Sequence, residues 1–480
     1  MELKNVRISE ERFLQERKEV LSRWKTGSAI DLDEAVEYQR NIPSHKNFAY
    51  KLENAKKMGR TLIRTDSGIP SLEEFIDYLL FLQNEGGADL LGTMVDSMTR
   101  YHLHEEAEKK LRESLKTGQW LLNGFPMINY GLHETRKIVE AVDLPLMIRG
   151  LAPDYRFVYE MGLASGHTAT SGAPLISFSQ YSKDISLESV IKKYQYAYRL
   201  CGHYIEKGIP ITAGIGGGFA ILCPFGVLIA GAILDALIAA EQGVNSIVFI
   251  VHSQGNIVQD VAALVVQRSL GKEYLEKMGY KDVRVYLDCT SWSGKFPDDA
   301  SKAYAVNVLG VLAARLAKAE IVTVKTIEEA RTIPSKEANA STLKFGKTLM
   351  SMLERQPLEL PREKFEEERA ILEAEVKLLV EKILEIGDGD PAKGEKKATE
   401  TGMFDVPFAT NRDLLCRVKG VRDKDGMVRY LDAGGLPLPR EIIDYHREKI
   451  REREKEKGKK IDYETIVEDL FSISKGILVG

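Results

Sequence analysis

Several residues whose types suit them to chemistry stand where apolar runs of the chain end. Arg100 and Arg149 each follow such a run. A guanidinium presents a planar fork of donors that fits a carboxylate in bidentate fashion. Two forks in one pocket would mean an acidic substrate; otherwise they are surface or structural arginines. Gly214-Ile215-Gly216-Gly217-Gly218 follows another run. Glycines allow close approach of backbone to a ligand, but the stretch matches neither the dinucleotide fingerprint nor the P-loop. A phosphate cradle, a tight turn and clearance for a bulky cofactor all stay open. An Asn-Gly-Phe-Pro turn begins at Asn123, and Lys325 is followed four residues later by Glu329. That pair could bracket the first turn of a helix and grip a sugar hydroxyl, or form a surface ion pair worth under about 1 kcal/mol.

Other chemistries find little support. The eight histidines form no metal-binding spacing, His102 and His104 read as a solvated pair, and there is no Gly-x-Ser-x-Gly elbow. The four cysteines form no CxxC pair. A net charge of −4 gives no reason to expect nucleic acid as a partner. The first ten residues are charged and show no secretory leader, so a reducing cytoplasm is expected. Residues 219–234 carry no charge, but sixteen residues interrupted by Pro224, Gly226 and Gly231 and closed by Asp235 are too few for a membrane span. They read as a buried loop leading into a core helix.

The elements that must position these residues follow a βα rhythm. Residues 1–57 are charged and helical in pattern, a terminal arm. From residue 58 short apolar runs alternate with amphipathic stretches, the signature of a parallel sheet wrapped by helices. Nine runs read as strands: 61–64, 89–94, 120–123, 144–148, 166–170, 209–213, 246–251, 283–288 and 321–325. The expected fold is α/β, a (β/α)8 TIM-type barrel over 58–340, with a mainly helical C-terminal region over 341–480. Eight places for nine runs leaves one strand too many. In that last region, 363–386 and 440–457 read as long charged helices, and 451–457 as a solvated face.

Several segments then resemble one family. In chain order they are QWLLNGFPMINYG (119–131), AEQGV (240–244), GNIVQD (255–260), GKFPDDASK (294–302), IPSKEANA (333–340), TGMFDVPF (401–408) and VRDKDGMVRYL (421–431). Together they are similar to the large catalytic E (epsilon) subunit of glutamate mutase, also called methylaspartate mutase. Each motif alone is weak; their shared order over nearly the whole chain is specific. The resemblance implies a barrel that binds adenosylcobalamin at the C-terminal ends of its strands. It also implies a separate small cobalamin-binding (S, sigma) subunit with an Asp-x-His-x-x-Gly motif, which this chain lacks, and a homodimer of this chain within a heterotetramer.

Carried over residue by residue, the family's adenosyl-contacting pair falls on Lys325 and Glu329, with Asn123 in the matching turn. Two of three substrate-carboxylate arginines fall on Arg100 and Arg149, and one of two active-site tyrosines on Tyr181. Four positions depart: the third arginine aligns with Asp66, the other tyrosine with Ser177, the glutamate base with Ser171 and a second glutamate with Gly214. A serine hydroxyl cannot accept a proton near neutral pH as a carboxylate does. His167 is a candidate replacement if its strand extends far enough to put it on the face of Ser171; the alternative is a buried structural histidine. Arg100, Arg149 and Asp66 carry the same net sign as the family's charged set, so the pocket is expected to take a small acid in a changed layout. An amino group would lie near Asp66, or the substrate would lack one. The other readings are a mutase for a different small acid and a non-catalytic assembly subunit.

Overall fold

The computed structural model describes residues 2–216, 221–328 and 331–480. Eight parallel strands form the central sheet: β1 (Leu62–Arg64), β2 (Leu91–Met94), β3 (Leu146–Arg149), β4 (Ala169–Ser171), β5 (Thr212–Gly216), β6 (Ser246–His252), β7 (Arg284–Thr290) and β8 (Ile321–Thr323). Each pairs in parallel with its neighbour from β2 round to β8, and β8 pairs with β1. At the remaining seam, between β1 and β2, the Asp89 N–H donates to Ile63 O at 2.9 Å and the Asp89 carboxylate accepts from Ile63 N at 3.1 Å. The sheet is thus a (β/α)8 barrel of the TIM type, closed at that seam partly by a side chain.

The surplus run is 120–123. Among those residues there is no strand; the segment lies between the helices His104–Thr117 and Met127–Tyr130 and meets the end of β2 through a bridge from Phe125 to Val95. Of its apolar residues only Leu122 is buried, while Trp120 is partly buried and Leu121 is exposed, so the run is an irregular segment and not a buried strand. A short apolar run leaves those two states undistinguished. A hairpin after the barrel went unread: β9 (Lys419–Arg422) pairs antiparallel with β10 (Val428–Asp432). On it rests the helix Arg440–Lys457, and within that helix Arg453 is buried against Asp469 at 2.7 Å, so the 451–457 stretch is not wholly solvated.

Alternation along the strands sorts the core. Val248 and Ile250 of β6 point into the barrel, while Ile247, Phe249 and Val251 pack outward under the helices. Leu62, Met147, Ala169, Tyr286 and Ile321 fill the barrel interior with them. Phe48, Leu52 and Ala55 of the helix Phe48–Lys57 join this cluster and stop the N-terminal end. The terminal segment therefore contributes the floor of the barrel. Of the apolar run 219–234, residues 219 and 220 lie outside the described residues. The remainder enters the helix Phe225–Glu241, buried nearly all round between barrel and the helix Arg362–Ile386. No helix among the described residues is long and apolar enough to cross a membrane.

Candidate functional site

At the C-terminal ends of the strands lies a cavity of about 280 Å³. It is lined by Asp66, Arg100, Arg149, Ser171, Tyr181 and Lys325, with Met94, Leu151, Ile250 and His252 among the other walls. Each polar group arrives from a different element. Arg149 ends β3, Ser171 ends β4, Asp66 and Lys325 stand two residues beyond β1 and β8, Arg100 closes the short helix Ser97–Arg100, and Tyr181 closes the helix Pro174–Tyr181. Parallel strands deliver all their C-termini to one end, which is why residues hundreds of positions apart meet here.

The centre of the cavity is an ion network. Arg149 donates from Nε to Asp66 Oδ1 at 2.8 Å and from Nη2 to Oδ2 at 3.1 Å, a bidentate pair. Arg64 donates to Asp66 at 2.9 Å and to Asp288 at 2.6 Å, and Lys325 Nζ lies 3.4 Å from Asp66. Thr323 Oγ1 donates to Asp288 at 2.8 Å. Burial by itself would raise the Asp66 carboxyl, but Arg149, Lys325 and Arg64 outweigh it and hold the group well below the usual carboxylate range. Asp66 is therefore ionised, and its charge is shared among three cations. Gly92 makes the arrangement possible: a Cβ there would stand 2.9 Å from Arg149 Cγ.

Arg100 is differently placed. It donates from Nη1 to Leu151 O at 2.7 Å, its buried Nε has no hydrogen-bond partner, and it makes no salt bridge among the described residues. The Ser171 hydroxyl donates to Ile148 O at 3.0 Å and approaches Gly150 O at 3.4 Å. Burial pushes the Tyr181 phenol up to about 12, so it stays protonated and can donate. His252 accepts or donates at Nδ1 to Ser293 Oγ at 2.6 Å, and burial, then Lys325 and Arg149, lower it to about 3.

Several expectations are revised by this geometry. His167 does not line the cavity. β4 begins only at Ala169, so alternation does not extend to it. Its Nε2 meets Thr93 Oγ1 at 2.9 Å and its Nδ1 lies 3.2 Å from Ser165 Oγ and Gly162 O. Ser177 is likewise withdrawn, its hydroxyl bonded to Tyr194 OH at 2.7 Å. Gly214 faces the barrel interior below the cavity, where a Cβ would meet Met147 Cε at 2.6 Å; Gly216 does line the cavity. Asn123 lines an adjoining space of about 420 Å³ that shares Asp66, Met94 and Lys325 with the first. Glu329, Gly217 and Gly218 lie outside the described residues. His104 is buried, with neither ring nitrogen partnered, and is no solvated residue.

Arg64, Asp288, Gly92 and His252 escaped the sequence reading. Arg64 is the last residue of β1 and fully buried, and no motif marked it. The alternation of β1, with Leu62 inward, could have pointed to it. With Arg64 and Asp288 counted, four cations (Arg64, Arg100, Arg149 and Lys325) stand with two carboxylates (Asp66 and Asp288), so the described site is more cationic than Arg100, Arg149 and Asp66 alone indicate.

Fold and site together define an enzyme barrel whose cationic cavity sits at the C-terminal mouth. The methylaspartate mutase E chain family matches residues 42–480. The chain is 41% identical to the glutamate mutase epsilon subunit of Treponema denticola over 100% of this chain and 99% of that one. It is 40% identical to that of Desulfitobacterium hafniense over the same shares, and 36% identical to that of Escherichia coli O157:H7 over 100% of both. The chain belongs to the methylaspartate mutase E chain family, and is a mutase subunit, an isomerase by class.

Proposed function

We propose that this chain is the catalytic subunit of an adenosylcobalamin-dependent carbon-skeleton mutase that acts on a small carboxylic acid. The observation that carries the reading is the convergence of Arg100, Arg149, Tyr181 and Lys325 on one cavity, in a chain matched by the family over 42–480. The relatives' name points to L-glutamate and 3-methylaspartate. The bidentate Asp66–Arg149 pair favours a different small acid.

The donor set fits the cofactor. Lys325 and Asn123 bring an ammonium and a carboxamide to the adjoining 420 Å³ space, groups suited to sugar hydroxyls. With Gly216 and, by the resemblance, Glu329, they would hold the adenosyl part. Adenosylcobalamin supplies radical hydrogen abstraction when bound; the protein supplies orientation and exclusion of water. Arg100 would bind the acid's carboxylate. Tyr181 would donate from its protonated hydroxyl to substrate oxygen. Ser171, whose proton is spent on backbone carbonyls, would be a neutral wall and not a base. The rest of the cofactor would be held by a small cobalamin-binding subunit, in a heterotetramer containing two copies of this chain.

The test mixes this chain, the small cobalamin-binding subunit and adenosylcobalamin without oxygen, and adds a panel of small acids. A complex of heterotetramer mass and a paramagnetic signal that requires an acid are expected. A complex that gives no signal with any acid would replace this reading by the assembly role.

A further inference from the structure

We infer that Asp66 is a built-in counter-ion occupying the place of a second substrate carboxylate, so that the pocket takes a short monocarboxylic acid without an ammonium group, held at Arg100. This rests on the mutase reading and names its substrate class.

The argument starts from what is already paired. The Nε/Nη2 edge of Arg149 meets both oxygens of Asp66, at 2.8 and 3.1 Å. An incoming carboxylate can use that edge only by expelling Asp66, and Asp66 is also bound to Arg64 at 2.9 Å and Lys325 at 3.4 Å. Breaking a buried pair of this kind leaves charge uncompensated. Asp288 below completes the layer on Arg64. The edge is thus committed to an internal carboxylate, and a dicarboxylate finds one of its two seats taken.

The same network disfavours an ammonium. Asp66 is the single carboxylate among the described residues lining the cavity, and three cations already surround it. A substrate ammonium there would be a fourth positive charge in a site shielded from water. The other location for such a group, beside Ser171, provides a hydroxyl directed at Ile148 O. Neither place supplies a free anion.

One cation remains for one carboxylate. Arg100 has a buried Nε with no partner and makes no ion pair among the described residues. The surrounding wall of Met94, Leu151 and Ile250 suits an alkyl chain. A ligand with one charged end and an apolar body matches both halves.

Four acids of one chain length separate the terms: pentanoate, glutarate, 2-aminopentanoate and L-glutamate. Their affinities for the complex with the small subunit and cofactor are measured by calorimetry. Pentanoate is expected to bind at least about tenfold more tightly than each of the others. In Asp66→Asn, the glutarate-to-pentanoate affinity ratio should shift about tenfold toward glutarate, and Arg100→Lys should weaken pentanoate about tenfold. Tighter binding of glutarate or L-glutamate to the unaltered complex, or binding of none of the four, overturns the inference. An unchanged ratio in a folded Asp66→Asn variant does the same. If that variant does not fold, the order of the four acids on the unaltered complex decides. Failure of the mutase reading shows separately, as absence of the acid-dependent paramagnetic signal while the binding order stands.

Discussion

Arg149 shows how much one side chain's meaning depends on its neighbour. Its fork suits a substrate carboxylate, yet Asp66 fills it, so on the proposed reading Arg149 is a positioning group and Arg100 does the binding. Arg149→Lys should therefore weaken acid binding less than Arg100→Lys does, a comparison that calorimetry on the two variants decides. Gly92 is the second test at this scale. Its added Cβ would press on Arg149 Cγ at 2.9 Å, so Gly92→Ala should cost about 1–3 kcal/mol in urea unfolding. Burial lowers His167 to about 4 and His252 to about 3, so both rings stay neutral at pH 5.5, which imidazole nitrogen NMR shifts would report. The sign follows: the unfolded chain takes up these protons below about pH 6.5, so the stability the two rings contribute is present above that value and is lost as pH falls through it toward their folded values.

Among the elements, the helix Phe48–Lys57 has a role out of proportion to its length. Phe48 and Leu52 close the barrel floor, both fully buried. Leu52→Ala should destabilise the protein by about 2–5 kcal/mol, measured by urea unfolding, through the cavity it leaves beneath the barrel core. The helices Phe225–Glu241 and Pro391–Thr401 are joined by another device. Asp235 and Glu395 face each other in the interior, both buried. Burial raises both carboxyls, and their mutual repulsion, with Asp390 nearby, raises Glu395 further. A raised folded value means stability present at low pH and lost as pH rises through it. Glu395→Gln removes one of the two ionisations. It should be more stable than the unaltered chain at pH 8, with the advantage shrinking by pH 5, as thermal unfolding across that range would show.

At the scale of the whole molecule, the C-terminal region braces the barrel's outer wall. The helix Arg362–Ile386 packs along the helices Phe225–Glu241 and Ile257–Lys277, and Phe404 and Val406 close an apolar recess beside Gly216 and His252. On the proposed reading the chain supplies one side of a cofactor site, and turnover is expected to require the small cobalamin-binding subunit. An activity assay of this chain with cofactor alone should register none, and adding the subunit should restore it.

Architecture and family were both legible in the residues taken in order. The βα rhythm over 58–340 is local and periodic, and alternation or short apolar runs survive in one dimension. Eight of the nine runs overlap strands, with ends that differ by a few residues; run 120–123 does not, because three apolar residues in a row fix neither burial nor extended geometry, and only Leu122 of them is buried. Arg100, Arg149 and Lys325 were legible for the same reason, since they follow recognisable runs, and Ser171 and Tyr181 through the resemblance; all five line one cavity. Tertiary structure alone decided which charge faces which. Arg64 and Asp288 are 224 positions apart and Arg149 and Asp66 are 83 apart, and nothing local distinguishes a paired arginine from an open one. Coulomb energy depends on separation in space, and barrel closure is what sets those separations.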